Sequence, residues 1–128
     1  MQKRILESSR YPKGRGPYSQ AVVAGQLVFL SATGPIDPSN NKKIGGDIKR
    51  QTLQTLNNVR NLLDDAKIPI DNVVKVTVYL SNIDDYEPMN EVYRDFFSGS
   101  KPARTCVQVA ALPGGDLIAV DVIAMLPN

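Results

Sequence analysis

The stretch Lys101-Pro102-Ala103-Arg104-Thr105-Cys106-Val107-Gln108-Val109 is the point from which the rest of the chain can be sorted. Pro102 closes a loop, because it has no N–H to donate and a fixed φ. A run of strand-forming residues follows at once. Side chains alternate along a strand, so Arg104, Cys106 and Gln108 share one side, and Thr105, Val107 and Val109 share the other. The valine side is expected to meet the core. The Arg–Cys–Gln side is expected to be a working surface.

Working outward, Leu112-Pro113-Gly114-Gly115-Asp116 predicts a turn into a last strand, Leu117 to Met125. In it Ile118, Val120, Val122 and Ala124 face the core, and Leu117, Ala119, Asp121 and Ile123 face away. Upstream, Asp84 or Asp85 caps a helix whose first turn holds Pro88. Tyr86, Met89, Val92, Tyr93, Phe96 and Phe97 are expected to pack it into the core. Before it, Asn72 to Leu80 predicts a strand with Val74, Val76, Val78 and Leu80 inward and Lys75, Thr77 and Tyr79 outward. Asp47 caps a longer helix to about Ala66, with an apolar stripe of Leu53, Leu56, Val59, Leu62, Leu63 and Ala66; Asn57, Asn58 and Asn61 lie off it.

Residues 33–46 are rich in turn formers and predict a loop. Residues 18–24 and 27–32, separated by Gly25-Gln26, predict a hairpin, with Val28, Leu30 and Ala32 on one face and Leu27, Phe29 and Ser31 on the other. Residues 1–17 are basic and broken by Pro12, Gly14, Gly16 and Pro17. They predict a solvated leader with a short edge strand near Ile5, or a flexible anion-binding arm.

The order strand, strand, helix, strand, helix, strand, strand predicts a single α+β domain over residues 1–128. Its architecture is two-layer: a mixed β-sheet covered on one face by two helices. Strand parity places Phe29, Ser31, Lys75, Thr77, Tyr79, Arg104, Cys106, Gln108, Ala119 and Asp121 on the uncovered face. That set is too apolar for a free surface and too polar for a closed core. Burial against other copies of the chain is the expected resolution.

Composition removes several kinds of chemistry. There is no histidine, which removes the commonest general base and metal ligand and any Ser–His or Cys–His pair. One cysteine excludes an intrachain disulfide and a Cys-x-x-Cys site. The carboxylates are not spaced as a calcium loop. A net charge of +2 is too small to imply a polyanionic partner. Without a long apolar run or a secretory leader, no membrane span is expected and the cytoplasm is the expected compartment.

Several motifs together resemble the RidA (YjgF/YER057c/UK114) family. They are Gly16-Pro17-Tyr18-Ser19-Gln20-Ala21, Leu30-Ser31, Asn90 with Tyr93 and Phe96-Phe97, and above all Pro102-Ala103-Arg104-Thr105-Cys106-Val107-Gln108-Val109-Ala110 with Leu112-Pro113. The resemblance runs essentially end to end. It implies a chorismate-mutase-like fold assembled as a homotrimer, with sheets forming an inner barrel and ligand sites between subunits. It also implies hydrolysis of reactive enamines and imines, such as 2-aminoacrylate, 2-iminobutanoate and 2-iminopropanoate, to 2-oxo acids and ammonia, with no metal and no cofactor.

By the same resemblance Arg104 is the catalytic candidate. Its planar donor fork matches the carboxylate of a 2-imino acid. Tyr18, Ser31, Asn90 and Cys106 are candidate substrate contacts beside it. Each also has a plain structural reading: Tyr18 as packing, Ser31 as a hydroxyl satisfied in the sheet, Asn90 as a helix-surface amide and Cys106 as a small buried residue. A glutamate common on the last strand of this family is replaced here by Ala119, and Asp121 lies two residues along on the same face. A trimeric carboxylate-binding protein without turnover is therefore a competing reading. A ribonuclease or translation inhibitor ranks last, since no dense basic stripe or aromatic stacking platform is present.

Overall fold

A computed structural model describes residues 3–128. Met1 and Gln2, at the head of the basic leader, lie outside that range. The strands are β1 (Lys3–Leu6), β2 (Ala21–Ala24), β3 (Leu27–Thr33), β4 (Ile36–Asp37), β5 (Lys42–Lys43), β6 (Val73–Leu80), β7 (Ala103–Gln108) and β8 (Ile118–Met125), and the helices are α1 (Ile48–Asp65) and α2 (Tyr86–Phe96). Six strands form one sheet in the order β1-β2-β3-β8-β6-β7, while β4 and β5 form a small hairpin inside the predicted 33–46 loop. Only β6 and β7 pair in parallel; the other neighbours are antiparallel. The last strand therefore lies in the interior of the sheet, between β3 and β6. The expected α+β sheet with two covering helices is the fold observed.

One core lies between sheet and helices. Leu56, Val59, Leu62 and Leu63 of α1 and Met89 of α2 meet Val28, Leu30, Val76, Val78, Ile118, Val120 and Val122. Asp47 caps α1, its side chain accepting from the Arg50 N–H. The turn at Gly25 has φ 63°, which glycine adopts at no steric cost.

Several expectations need correction. Leu53 is 51% exposed and does not belong to the α1 core stripe. Asn58, expected on the outer face, is fully buried and donates to Gly34 O at 3.2 Å and Ile36 O at 2.8 Å. Gln51 is also buried, donating to Gly46 O and accepting from Leu117 N–H, both at 2.9 Å. These amides satisfy backbone groups of loops and of the β8 entry, and apolar periodicity carries no sign of that need. Register shifts move two more residues. One in β3 turns Thr33 inward and leaves Ala32 exposed; one in β6 buries Val73 in place of Val74.

The basic leader is not simply solvated. β1 is the expected edge strand, but Tyr11 is buried and its hydroxyl donates to Ser31 O at 2.8 Å. Gln20 accepts from Ser8 N–H and donates to the Ser8, Tyr11 and Pro12 carbonyls. Arg10 pairs with Asp65 at the end of α1. The segment is a strap held across the sheet end.

Leu53→Ala is expected to cost less than about 0.5 kcal/mol, whereas Leu56→Ala is expected to cost about 2–5 kcal/mol. Asn58→Ala, which takes the donor from the buried Gly34 carbonyl and the half-buried Ile36 carbonyl, is expected to cost about 1–3 kcal/mol. Urea denaturation of the three variants tests this ranking; equal losses for Leu53 and Leu56 would contradict the packing described.

Candidate functional site

The parallel register places Arg104 beside Val76, Cys106 beside Val78 and Gln108 beside Leu80. The three β6 residues are buried under the helices. Arg104, Cys106 and Gln108 therefore face the helices, and Thr105 and Val107 share the open face with Thr77 and Tyr79. This reverses the face expected from the sequence. Alternation pairs the residues correctly, but it cannot say which set points inward on an edge strand. The reversal follows from α2, which offers a polar flank where Arg104 emerges.

That flank is built from Tyr86, Asn90 and Tyr93, spaced so that they stack along one side of α2. Arg104 Nη1 donates to Asn90 Oδ1 at 2.6 Å, and Nη2 donates to the Tyr86 hydroxyl at 2.9 Å. The guanidinium carbon lies 4.7 Å from the Tyr93 ring centroid and 5.4 Å from that of Tyr86. Cation–π contact and charge-assisted hydrogen bonds together fix the fork. Gln108 supports the arrangement from the end of the strand, accepting from Ile83 N–H in the turn that leads into α2. A cavity of about 340 Å³ opens here, lined by Asn90, Tyr93, Arg94, Phe97, Lys101, Pro102 and Arg104.

The sequence pattern alone places Tyr86 and Tyr93 in core packing, although Tyr93 also belongs to the motif around Asn90. Their spacing with Asn90 was the available signal. Cys106 is half-buried, and burial pushes its thiol up while the Arg104 guanidinium pulls it weakly down. This environment favours a neutral thiol over a nucleophilic thiolate.

Tyr18 and Ser31 lie elsewhere. Tyr18 is 56% exposed, and its ring lies against the backbone of Gly14 and Gly16, where a Cβ would fall 2.9 Å and 3.2 Å from it. Ser31 is on β3, and its hydroxyl donates to Ser19 O at 2.7 Å, holding the segment that carries Tyr18. Tyr18 lines a second cavity of about 520 Å³, together with Thr33, Lys43, Tyr79, Asp116 and Ala119. The nearly buried Thr33 hydroxyl has no hydrogen-bond partner there. Asp116 pairs with Lys43 at 3.0 Å, and Tyr79 donates to Asp121 at 2.7 Å. Within one chain, then, Arg104, Asn90 and Cys106 come together at one edge. Tyr18 and Ser31 stand on the far side of β8 and β6.

Among the described residues no three His, Cys, Asp or Glu side chains converge as metal ligands, and no helix is long and apolar enough to cross a membrane.

The Tyr93 hydroxyl is buried without a partner, and burial pushes its pKa up to about 12, opposed by Arg104. An unfolded tyrosine ionises near pH 10, roughly. The folded state thus holds this proton more tightly, and the stability it contributes is lost as pH rises from there through the folded value. Tyr93→Phe keeps the ring under Arg104 and removes the proton. Its unfolding free energy is expected to fall less than that of the wild type between pH 9 and pH 11, roughly. An identical fall in urea titrations would contradict this.

Comparison with known proteins places these features in a family. A family model described as Endoribonuclease L-PSP matches residues 8–126. A RutC family protein of Pyrococcus abyssi is 43% identical over 124 residues, covering 97% of this chain and 98% of that one. The 2-iminobutanoate/2-iminopropanoate deaminase of Homo sapiens is 36% identical over 123 residues, covering 96% of this chain and 90% of that one. The crystal structure of E. coli TdcF with bound serine superposes with a TM-score of 0.91 at 33% identity, covering 97% of this chain and 98% of that one. The E. coli YjgF gene product does so with a TM-score of 0.90 at 30% identity, covering 95% and 98%. With the family model spanning nearly all of it and relatives aligned from end to end, this chain belongs to the Endoribonuclease L-PSP, or YjgF/RidA, family.

Proposed function

We propose that this protein hydrolyses reactive enamines and imines of small 2-amino acids to 2-oxo acids and ammonia. 2-Aminoacrylate, 2-iminobutanoate and 2-iminopropanoate are the expected substrates. The observation that carries this reading is the fixed guanidinium of Arg104. Asn90 and Tyr86 engage two of its N–H groups, which leaves the rest of the fork available beside the 340 Å³ cavity. A 2-imino acid presents a planar carboxylate next to its C=N carbon. Gripping that carboxylate fixes the carbon for attack by water. The serine held by the TdcF relative has the same α-carboxylate, which supports a small amino-acid-like ligand.

The reading includes a homotrimer of chorismate-mutase-like subunits, sheets inward as a barrel and helices outward. Arg104 and the Tyr18 cavity are on different parts of one subunit, so a second copy is needed to bring them together. Leu27, Phe29, Val107 and Met125 on the uncovered sheet face are 39% to 45% exposed, which supports burial of that face against neighbours. Release of such intermediates by pyridoxal-phosphate enzymes makes the cytoplasm the fitting compartment.

A second reading, carboxylate binding without turnover, is favoured by one observation. The cavity that holds Tyr18 contains Asp116 as its carboxylate, and Asp116 is neutralised by Lys43, while Ala119 offers no acid or base. RNA cleavage, which the family description names, draws little support from a net charge of +2.

A serine dehydratase generating 2-aminoacrylate, with semicarbazide as trap, tests the main reading. Wild type is expected to speed pyruvate release, and Arg104→Ala to lose at least about 100-fold in kcat/KM, with Arg104→Lys a poor substitute. No acceleration, with 2-oxobutanoate binding by calorimetry, would select the binding protein. Sedimentation equilibrium is expected to give a trimer; a monomer at every concentration would remove the shared-site model.

A further inference from the structure

The 520 Å³ cavity poses a question that Arg104 does not answer: what receives the proton of the attacking water. Asp116 is poorly suited. Its Oδ1 lies 3.0 Å from Lys43 Nζ, and its Oδ2 lies so close to Gly34 that a Cβ there would approach it to 2.9 Å. The carboxylate is neutralised by Lys43 on one side and crowded by Gly34 on the other. Tyr79 is different. It stands directly across from Ala119 in the β6–β8 register, and both line the cavity. The Ala119 side chain ends at Cβ, so space remains in front of the phenol. The Tyr79 hydroxyl donates its hydrogen to Asp121 Oδ2 at 2.7 Å. Its oxygen lone pairs are thereby left to accept a hydrogen bond from elsewhere. The bond to Asp121, with burial, holds the phenol above its ordinary pKa, so it is a neutral hydroxyl at physiological pH. A neutral phenol with a carboxylate behind it can accept one proton while passing on another.

We propose that Tyr79 is the catalytic group that orients and deprotonates the hydrolytic water, with Asp121 as the positioning residue that holds the proton until it returns to the leaving nitrogen. This rests on the deaminase reading and extends it to a base. The substrate first takes a proton from solvent, at nitrogen for an imine or at the methylene carbon for the enamine 2-aminoacrylate. A water held by the Tyr79 oxygen then attacks the carbon of the protonated imine, and the new C–O bond forms as the C=N π pair moves to nitrogen. The water's proton passes to Tyr79 and the Tyr79 proton passes to Asp121, giving a neutral carbinolamine. The proton then returns through Tyr79 to the carbinolamine nitrogen. Ammonia leaves with the C–N electron pair, the hydroxyl oxygen closes the C=O bond, and its proton goes to solvent. The sum is imine plus water to 2-oxo acid plus ammonia, and Asp121 ends ionised as it began. Arg104 faces the helices and Tyr79 the uncovered face, so the two meet one substrate only when contributed by different copies of the chain.

The experiment is steady-state turnover of 2-aminoacrylate by the intact protein and by Tyr79→Phe, Asp121→Asn, their double variant and Tyr79→Phe with Ala119→Glu. Tyr79→Phe and Asp121→Asn are each expected to lower kcat about 10- to 100-fold with KM changed less than about twofold. The double variant is expected to be no slower than the slower single, because the two act as one unit. Ala119→Glu, which places a carboxylate on the same wall, is expected to recover much of the loss. Asp121→Asn preserves shape and the hydrogen bond while removing the proton acceptor, so its loss of kcat cannot come from misfolding when its sedimentation and circular dichroism match the wild type. Wild-type kcat in Tyr79→Phe, alongside an inactive Arg104→Ala, would overturn the relay and leave the deaminase intact. A rise in KM alone would overturn it by making Tyr79 a binding contact. A wild type without turnover would overturn both.

Discussion

The insertion of β8 between β3 and β6 is the constraint on which the structure depends. Until that strand is in place, the first half of the sheet and the β6–β7 pair have no common hydrogen-bond ladder. Once it is in place, its inward residues Ile118, Val120, Val122 and Ala124 are shielded by strands on both sides and by helices above. The closing contact is long-range, from the end of the chain back to residues 27–33 and 73–80. Such contacts require loop-closure entropy to be lost before they stabilise anything. The same strand carries Ala119 and Asp121 opposite Tyr79 and Thr77, so the step that completes the fold also brings Tyr79 and Ala119 together on the wall of the 520 Å³ cavity.

The two cavities differ in how they are held. Around Arg104 the supports are side chains of one helix, with Tyr86, Asn90 and Tyr93 gripping a cation from one side. Charge-assisted bonds and a ring face leave the guanidinium few alternative positions. Around Tyr18 the supports are backbone and loop ties. Ser31 holds Ser19, Gln20 holds the strap, and Asn41 accepts from the Lys13 N–H while its carbonyl accepts from Arg15. The Arg104 fork is thus held rigidly by one helix, whereas the Tyr18 ring is carried on a loop.

Buried polar groups explain much of what periodicity missed. Asn58 and Gln51 sit on the inner face of α1 because the β4–β5 region and the β8 entry present backbone groups that need partners. Their burial depends on where distant loops pass, which the local pattern does not encode. The leader behaves likewise: its basic residues read as solvated, yet the neighbouring Tyr11 is driven inside and drags the strap onto the sheet.

From the order of amino acids alone, the class of fold, the number of helices and most element boundaries could be read, because apolar spacing, caps and turn residues are local properties. Arg104, Asn90 and Cys106 could be picked out through resemblance, and the structure groups them. Which face of β7 carries Arg104 could not be read. An edge strand with polar residues on both sides satisfies either orientation, and only the parallel register with β6 and the flank of α2 select one. Nor could the roles of Tyr86, Tyr93 and Tyr79 be read. A tyrosine's spacing does not say whether its ring meets a leucine, a guanidinium or a carboxylate. That depends on which strands become neighbours, and strand order is settled only when the whole chain has closed on itself.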